Sequence, residues 1–183
     1  MELFIIRHTP VAVDSTICYG QSDVELNDQF DHYFNLYKNN LPSTFDKVFS
    51  SPLKRCSTLA KALTQTEITE DNRLMEMNFG DWELKSWNDI PMEESKNWTD
   101  NFDIVKTPQG ESLNDLFNRI QDFYNELKEQ NFKNVLIVTH AGPIRCFWAN
   151  ILEISLKNSF KIPVGFGEIL TINTEHTIIT RKS

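Results

Sequence analysis

Cysteine is scarce in this chain: Cys18, Cys56 and Cys146 are the only three among 183 residues. An odd number at wide spacing excludes both a disulfide framework and a zinc pattern, and it suits a reduced cytoplasmic protein. Cys56 and Cys146 each follow an arginine early in an expected helix, a placement able to lower a thiol pKa; both read as packing residues. Long apolar runs are missing too. No stretch approaches the ~20 residues that span a bilayer. Met1-Glu2 leads directly into an apolar run, so no basic leader and no signal peptide are expected. Basic residues are in deficit, 18 Lys and Arg against 26 Asp and Glu, for a formal charge of −8. That balance argues against a nucleic acid or an anionic membrane as partner. On so acidic a chain, a local group of arginines and histidines marks a specific anion site. Repeats, low-complexity tracts and linkers are absent, and nothing in the pattern specifies an oligomeric state.

What is present is ordinary for a globular protein, 40% hydrophobic and 24% charged residues. The length suits a single domain over 1–183, with an irregular, Trp-rich and acidic cap segment at about 78–110. Elements alternate along the chain. Glu-Leu-Phe-Ile-Ile after Met1 predicts a strand over 2–7 covered on both faces. A helix is expected over 27–39, with Phe30, Tyr33, Phe34 and Tyr37 at helical spacing. A strand at 46–50 leads to Ser51-Pro52, which reads as a cap followed by proline at the first helical position, and the helix runs to Leu63. A short strand is expected at 73–75, then two weak helical stretches in the cap segment. Leu113, Leu116, Phe117, Ile120, Phe123, Tyr124 and Leu127 form a clean stripe behind a Ser112/Asp115 capping box. A strand at 134–139, a helix at 143–152 and strands at 168–173 and 176–180 complete the pattern, with a hairpin turn at 173–175. This order predicts a three-layer α/β/α sandwich, its central sheet mostly parallel with an antiparallel edge strand.

Two strands end alike. The first stops at Arg7-His8-Thr9-Pro10 and another at His140-Ala141-Gly142-Pro143. In open α/β sheets the carboxyl ends of the strands are where ligands bind. Arg55 falls in the first turn of the helix after Pro52, where helical side chains tilt back toward the strand end. A cation there opposes the helix dipole and makes sense opposite an anion. Arg145 repeats the feature one step further from its strand. Taken singly, such residues are more often a surface salt bridge or a structural histidine. Arg7, His8, Arg55 and His140 together, at the same edge, suit a tetrahedral, doubly charged phosphate held by bidentate guanidiniums.

Four blocks then carry a resemblance in order and spacing: Arg7-His8-Thr9; Ser51-Pro52-Leu53-Lys54-Arg55; Leu74 to Glu83 with Glu76 inside it; and Val138-Thr139-His140-Ala141-Gly142. They resemble the histidine phosphatase superfamily, phosphoglycerate-mutase-like branch, over nearly the whole chain. Gln109-Gly110-Glu111-Ser112-Leu113 is similar to a linking motif of that family. The opening loop, 17–26, resembles the α-ribazole phosphatase subgroup, which acts in cobalamin nucleotide-loop assembly. The resemblance implies that His8 accepts the phosphoryl group as a phosphohistidine. It implies that Arg7, Arg55 and His140 hold the phosphoryl oxygens, and that Glu76 is the acid and then the base. It implies a small-molecule phosphomonoester as substrate, α-ribazole 5′-phosphate first, and neither metal nor cofactor.

Three departures stand out. Thr9 replaces a common glycine, Asp14 stands where many members have a phosphate-touching asparagine, and Leu84 replaces the glycine after Trp82-Glu83. A carboxylate would repel phosphate, so Asp14 is expected to point away. Tyr19 and Gln21, with Trp82 and the Trp87–Trp98 region, are the expected specificity elements, although for Trp87 and Trp98 a core role is the better expectation. Three alternatives remain at this stage. A mutase would carry a longer basic insertion, whereas 78–110 holds only Lys85, Lys96 and Lys106. A non-catalytic phospho-ligand module would have lost its nucleophile or acid. A broad phosphatase of sugar phosphates, nucleotides or phosphoproteins fits the same motifs.

Overall fold

The computed structural model describes residues 1–175 and 178–182. Its strands are β1 (Glu2–Arg7), β2 (Lys47–Ser50), β3 (Ile68–Glu70), β4 (Asn134–Thr139), β5 (Ile169–Asn173) and β6 (Ile178–Lys182). They form one sheet in the order β3-β2-β4-β1-β5-β6. The pairs β3/β2, β2/β4 and β4/β1 are parallel, while β1/β5 and β5/β6 are antiparallel. The reversed strand is therefore β5, one in from the edge. The expected start of the last strand at 176 falls on residues outside those described.

The α-helices among the described residues are α1 (Phe30–Asn40), α2 (Lys54–Leu63), α3 (Met92–Asn101), α4 (Leu113–Lys128) and α5 (Ala141–Leu152). Side-chain alternation along the central strands builds two cores. Leu3, Ile5, Val135 and Ile137 face Leu116, Ile120, Phe123 and Phe147 of α4 and α5. Ile6, Leu136 and Val138 face Tyr37, Cys56, Leu59 and Ala60 of α1 and α2. Cutting Ile120 or Phe123 back to alanine would cost about 2–5 kcal/mol in such a core. Both arms of the Ser112/Asp115 capping box are formed at the start of α4.

Three local readings need correction. Helix α2 begins at Lys54 with Leu53 as its cap, not at Pro52. Ser51 Oγ instead lies 2.8 Å from His140 Nε2. Helix α5 begins at Ala141, directly off its strand, with His140 as cap. Pro143 then sits in the first turn, where its missing N–H costs no helical bond. Finally, 73–75 is not a strand: Asn72–Leu74 is a 3-10 turn capped by Asp71, whose carboxylate accepts the Arg73 amide at 2.8 Å. The segment at 78–110 contains two further 3-10 turns, Gly80–Trp82 and Trp87–Asp89, and α3.

Register sets the site. Arg7 pairs with Thr139 and Ser50 with Val138. The His8 amide donates to Thr139 O at 2.9 Å and the Ser51 amide to Val138 O at 2.9 Å. The carboxyl ends of β1, β2 and β4 thus finish in one line, with His8, Ser51 and His140 as the next residues of each.

Candidate active site

His8 is buried at this edge. Its Nδ1 lies 2.7 Å from Thr9 O. A carbonyl only accepts, so Nδ1 carries the proton and the lone pair is left on Nε2. Burial, then the charges of Arg55 and Arg7, hold the imidazole well below its ordinary pKa. His8 is therefore neutral at physiological pH.

Arg55 is fully buried, and every partner it has is uncharged. Its Nη1 donates to Ser22 O at 2.9 Å, its Nη2 to Gly20 O at 2.6 Å and its Nε to His140 Nδ1 at 3.2 Å. Arg7 donates from Nη1 to Val164 O at 3.0 Å and lies 3.8 Å over the Phe166 ring. Its Nε is buried with no hydrogen-bond partner among the described residues. None of the ion pairs among those residues involves Arg7 or Arg55. A buried Arg55 and a half-buried Arg7, neither paired with a carboxylate, favour an incoming anion.

His140 stands 5.1 Å from His8, ring centre to ring centre. Because Arg55 donates to its Nδ1, the His140 proton sits on Nε2 and points at Ser51 Oγ. The two histidines thus carry opposite tautomers. Burial, then Arg55, also depresses His140 well below the usual range. Cys56 Sγ touches His140 Nε2 at 3.4 Å. Burial pushes its thiol far up, and that of Cys146 likewise, outweighing the lowering by the preceding arginine.

Glu76 faces this edge from the segment after the 3-10 turn. Its Oε1 accepts from the Met77 amide at 2.9 Å, and the Gly142 amide lies 3.1 and 3.2 Å from its two oxygens. A Cβ on Gly142 would sit 2.1 Å from Oε1, so only glycine permits the approach. Beside Glu76 lies a cavity of about 140 Å³, lined by Met77, Phe79, Leu116, Gly142, Arg145 and Phe160 among others. Arg145 reaches it with Nε bonded to Ile162 O and its guanidinium 5.2 Å from the Phe160 ring. It thus lines the cavity beside Glu76 rather than joining Arg7 and Arg55.

The opening loop closes over Arg55. Tyr19 lies 5.3 Å from its guanidinium. Gln21 Nε2 donates to Glu76 O at 2.9 Å, so this side chain ties the loop to the carboxylate segment. Asp14 is turned to its own loop, accepting from Thr16 N and Oγ1 at 2.8 and 2.7 Å, bonds that lower its pKa. Trp82 is buried with Cys18 and Ile90, and Phe79, Trp87 and Trp98 pack against one another over it.

The sequence residues thus come together: Arg7, His8, Arg55 and His140 in one cluster at the sheet edge, Glu76 on the segment beside it, Tyr19 and Gln21 in the loop next to Arg55 and Glu76. Two roles were missed. Glu83 accepts from Gln21 N, Ser22 N, Ser22 Oγ and Phe79 N at 2.5–3.1 Å, which makes it the anchor of the loop. Arg119 on α4 grips the Glu76 segment. The only sequence signals were their charges, Glu83 within a quoted block and Arg119 beside the α4 stripe.

Comparison with known proteins agrees with this geometry. A family model described as the histidine phosphatase superfamily (branch 1) matches residues 3–180. The chain is 27% identical over 182 residues to a provisionally assigned phosphoserine phosphatase 2 of Hydrogenobacter thermophilus, covering 95% of this chain and 90% of that one. It is 26% identical over 184 residues to the adenosylcobalamin/alpha-ribazole phosphatase of Escherichia coli, covering 94% and 91%. The crystal structure of the alpha-ribazole phosphatase of Shigella flexneri superposes with a TM-score of 0.90 at 23% identity, over 100% of this chain and 95% of that one. At that identity the superposition speaks for the fold.

Proposed function

The chain belongs to branch 1 of the histidine phosphatase superfamily and is a phosphoric monoester hydrolase, and we propose the following division of labour. His8 Nε2 attacks phosphorus in line with the ester oxygen. The P–N bond forms as the P–O bond breaks, and Glu76 delivers a proton to the departing alkoxide. Water then gives its proton to the Glu76 carboxylate and attacks phosphorus, the P–N bond breaks, and neutral His8 returns. Arg7 and Arg55 take the charged phosphoryl oxygens. His140 holds Arg55 through Nδ1 and, by releasing Ser51, turns Nε2–H toward an oxygen. The observation that carries this reading is the tautomer of His8: its Nδ1–H is spent on Thr9 O, so the free lone pair is the one on Nε2. A neutral nucleophile, preorganised cations and a positioned acid are the elements phosphoryl transfer needs.

The substrate proposed is a small phosphomonoester, α-ribazole 5′-phosphate in the first place. The loop at 17–26 supports it, and so do Phe79 and Phe160, rings lining the cavity beside Glu76 on which a flat base can stack. A phosphoserine-type substrate is the second reading, favoured by Arg145, a cation on the leaving side that suits a carboxylate. Acid-quenched enzyme incubated with labelled ester should carry acid-labile label on His8, and His8→Ala should carry none. Relative kcat/KM on α-ribazole 5′-phosphate, phosphoserine, 3-phosphoglycerate and sugar phosphates ranks the substrates. Turnover retained by His8→Ala would refute the mechanism.

A further inference from the structure

Most of the chain's backbone is bonded in helices or in the sheet, but the segment that carries Glu76 is not. Its carbonyls are satisfied by side chains. Leu74 O accepts from Thr139 Oγ1 at 2.6 Å. Arg73 O and Met75 O accept from Arg119 Nη1 at 2.5 and 2.7 Å, and Glu76 O accepts from Arg119 Nη2 at 2.9 Å. The remaining donors of Arg119 go to Glu111: Nε to Oε1 at 2.9 Å and Nη2 to Oε2 at 3.0 Å. Glu111 Oε2 also accepts the Asn78 amide at 2.9 Å.

A guanidinium has five N–H donors in a rigid fork. All five of Arg119's are used, three on carbonyls within the four residues 73–76 and two on one carboxylate. The pair Arg119–Glu111 therefore brackets residues 73–78 from the carbonyl side and the amide side at once. Both partners are only partly exposed, 17% and 22% for their side chains. The fork itself stands on α4, whose Leu116, Ile120 and Phe123 are buried in the core. Lysine could not reproduce it, having a point charge and no fixed plane.

We infer that Arg119, oriented by Glu111, is a positioning residue for the reaction: it sets the distance of the Glu76 carboxyl from the ester oxygen. This rests on the reading of Glu76 as the acid. Arg119 touches neither substrate nor the phosphoryl pocket. Its loss should therefore leave phosphate binding and His8 attack in place while displacing the proton donor. Misplacement by about 1 Å costs a reaction on the order of 10²-fold.

The test is burst-phase phosphorylation of His8 in Arg119→Lys, Arg119→Met and Glu111→Gln, with an alkyl phosphate and with nitrophenyl phosphate. The expected result is a loss of roughly 10²-fold on the alkyl ester in the Arg119 variants, a smaller loss in Glu111→Gln, and little change on the nitrophenyl ester, whose anion leaves without a proton. The second measurement places Arg119→Met in a Glu76→Gln background. A residue that acts through Glu76 then costs nothing further on the alkyl ester, whereas a merely structural residue adds its full effect. Equal losses on both esters, or additive losses in the double variant, would overturn the inference. Where Arg119→Met fails to fold, Arg119→Lys carries both measurements. If Glu76→Gln alone does not discriminate between the esters, the acid reading falls and the clamp with it. If Glu76→Gln discriminates and the Arg119 variants do not, only the clamp falls.

Discussion

Glu83 and Arg55 never touch, yet they hold opposite sides of one three-residue loop. Glu83 takes the amides of Gln21 and Ser22, and Arg55 takes the carbonyls of Gly20 and Ser22. An acid and a base are thereby coupled through backbone dipoles without neutralising each other. The carboxylate fixes the loop, the loop fixes the guanidinium, and the guanidinium keeps its charge for a ligand. Gly20 makes this possible: its φ is +35°, and a Cβ there would meet Glu83 Oε1 at 2.4 Å.

Glu83→Gln should therefore act on phosphate binding. It exchanges charge-assisted bonds for neutral ones and leaves one buried oxygen as the only acceptor. Losing such a bond costs about 1.5–3 kcal/mol, or roughly a 10-fold to 100-fold rise in the inhibition constant of inorganic phosphate. The loss should be equal for alkyl and nitrophenyl esters. A selective loss on alkyl esters would instead make Glu83 the acid.

Glu76→Gln and Gly142→Ala should share a phenotype. The first removes the proton, and the second pushes the carboxyl away from the amide that holds it. Burst rates on alkyl phosphates should fall by about 10²–10⁴-fold in Glu76→Gln, with nitrophenyl phosphate much less affected. Gly142→Ala should follow the same leaving-group order. Equal sensitivity of the two esters in Gly142→Ala would show that the glycine serves the helix rather than the acid.

Both site histidines should stay neutral as pH falls through 6.5, because burial and the arginines lower their folded pKa. The imidazole Cε1–H resonances of His8 and His140 should hold their neutral shifts through that region. The sign for stability follows. An unfolded chain protonates its histidines at about 6.5, so below that pH it binds more protons than the folded one, and stability declines as pH drops. Titration of either resonance near 6.5 would contradict the electrostatics described.

Ser112→Ala removes the arm of the α4 capping box in which Ser112 Oγ accepts the Asp115 amide, and keeps the arm from the Ser112 amide to the Asp115 carboxylate and the buried stripe. The expected cost is about 1 kcal/mol, a fall in Tm of roughly 2–4 °C for a chain of this size. Kinetics on either ester should be unchanged.

The fold was largely legible because its signals are local. Leu3 to Ile6 and Val135 to Val138 read as doubly covered strands, and the α4 stripe repeats at helical spacing over four turns. The strand ends with Arg7-His8 and His140 were equally plain. What failed was the backbone at 73–75, where Leu-Met looks like a strand. Its bonds come from Arg119, 44 to 46 residues away, and from Thr139. Window-by-window reading has no access to a partner at that distance. The start of α2 was misplaced for a similar reason, since Ser51, a good cap by type, faces His140 instead. Glu83 could be seen as a charge but not as an anchor, because its partners lie 61 and 62 residues back in the chain.

Three of the chain's four tryptophans stand together in the cap, Trp82, Trp87 and Trp98, with ring centres 5.7–6.4 Å apart. The fourth, Trp148, packs against the main core. Indoles at that range couple optically, so the near-ultraviolet dichroism and much of the emission of this protein come from one small region. Phe79 lies against Trp87 and Trp98 on one side and lines the cavity beside Glu76 on the other. A ligand seated in the cavity would touch that ring. Its arrival is then reported by chromophores the chain already carries, and occupancy of the cavity can be followed by light without a label.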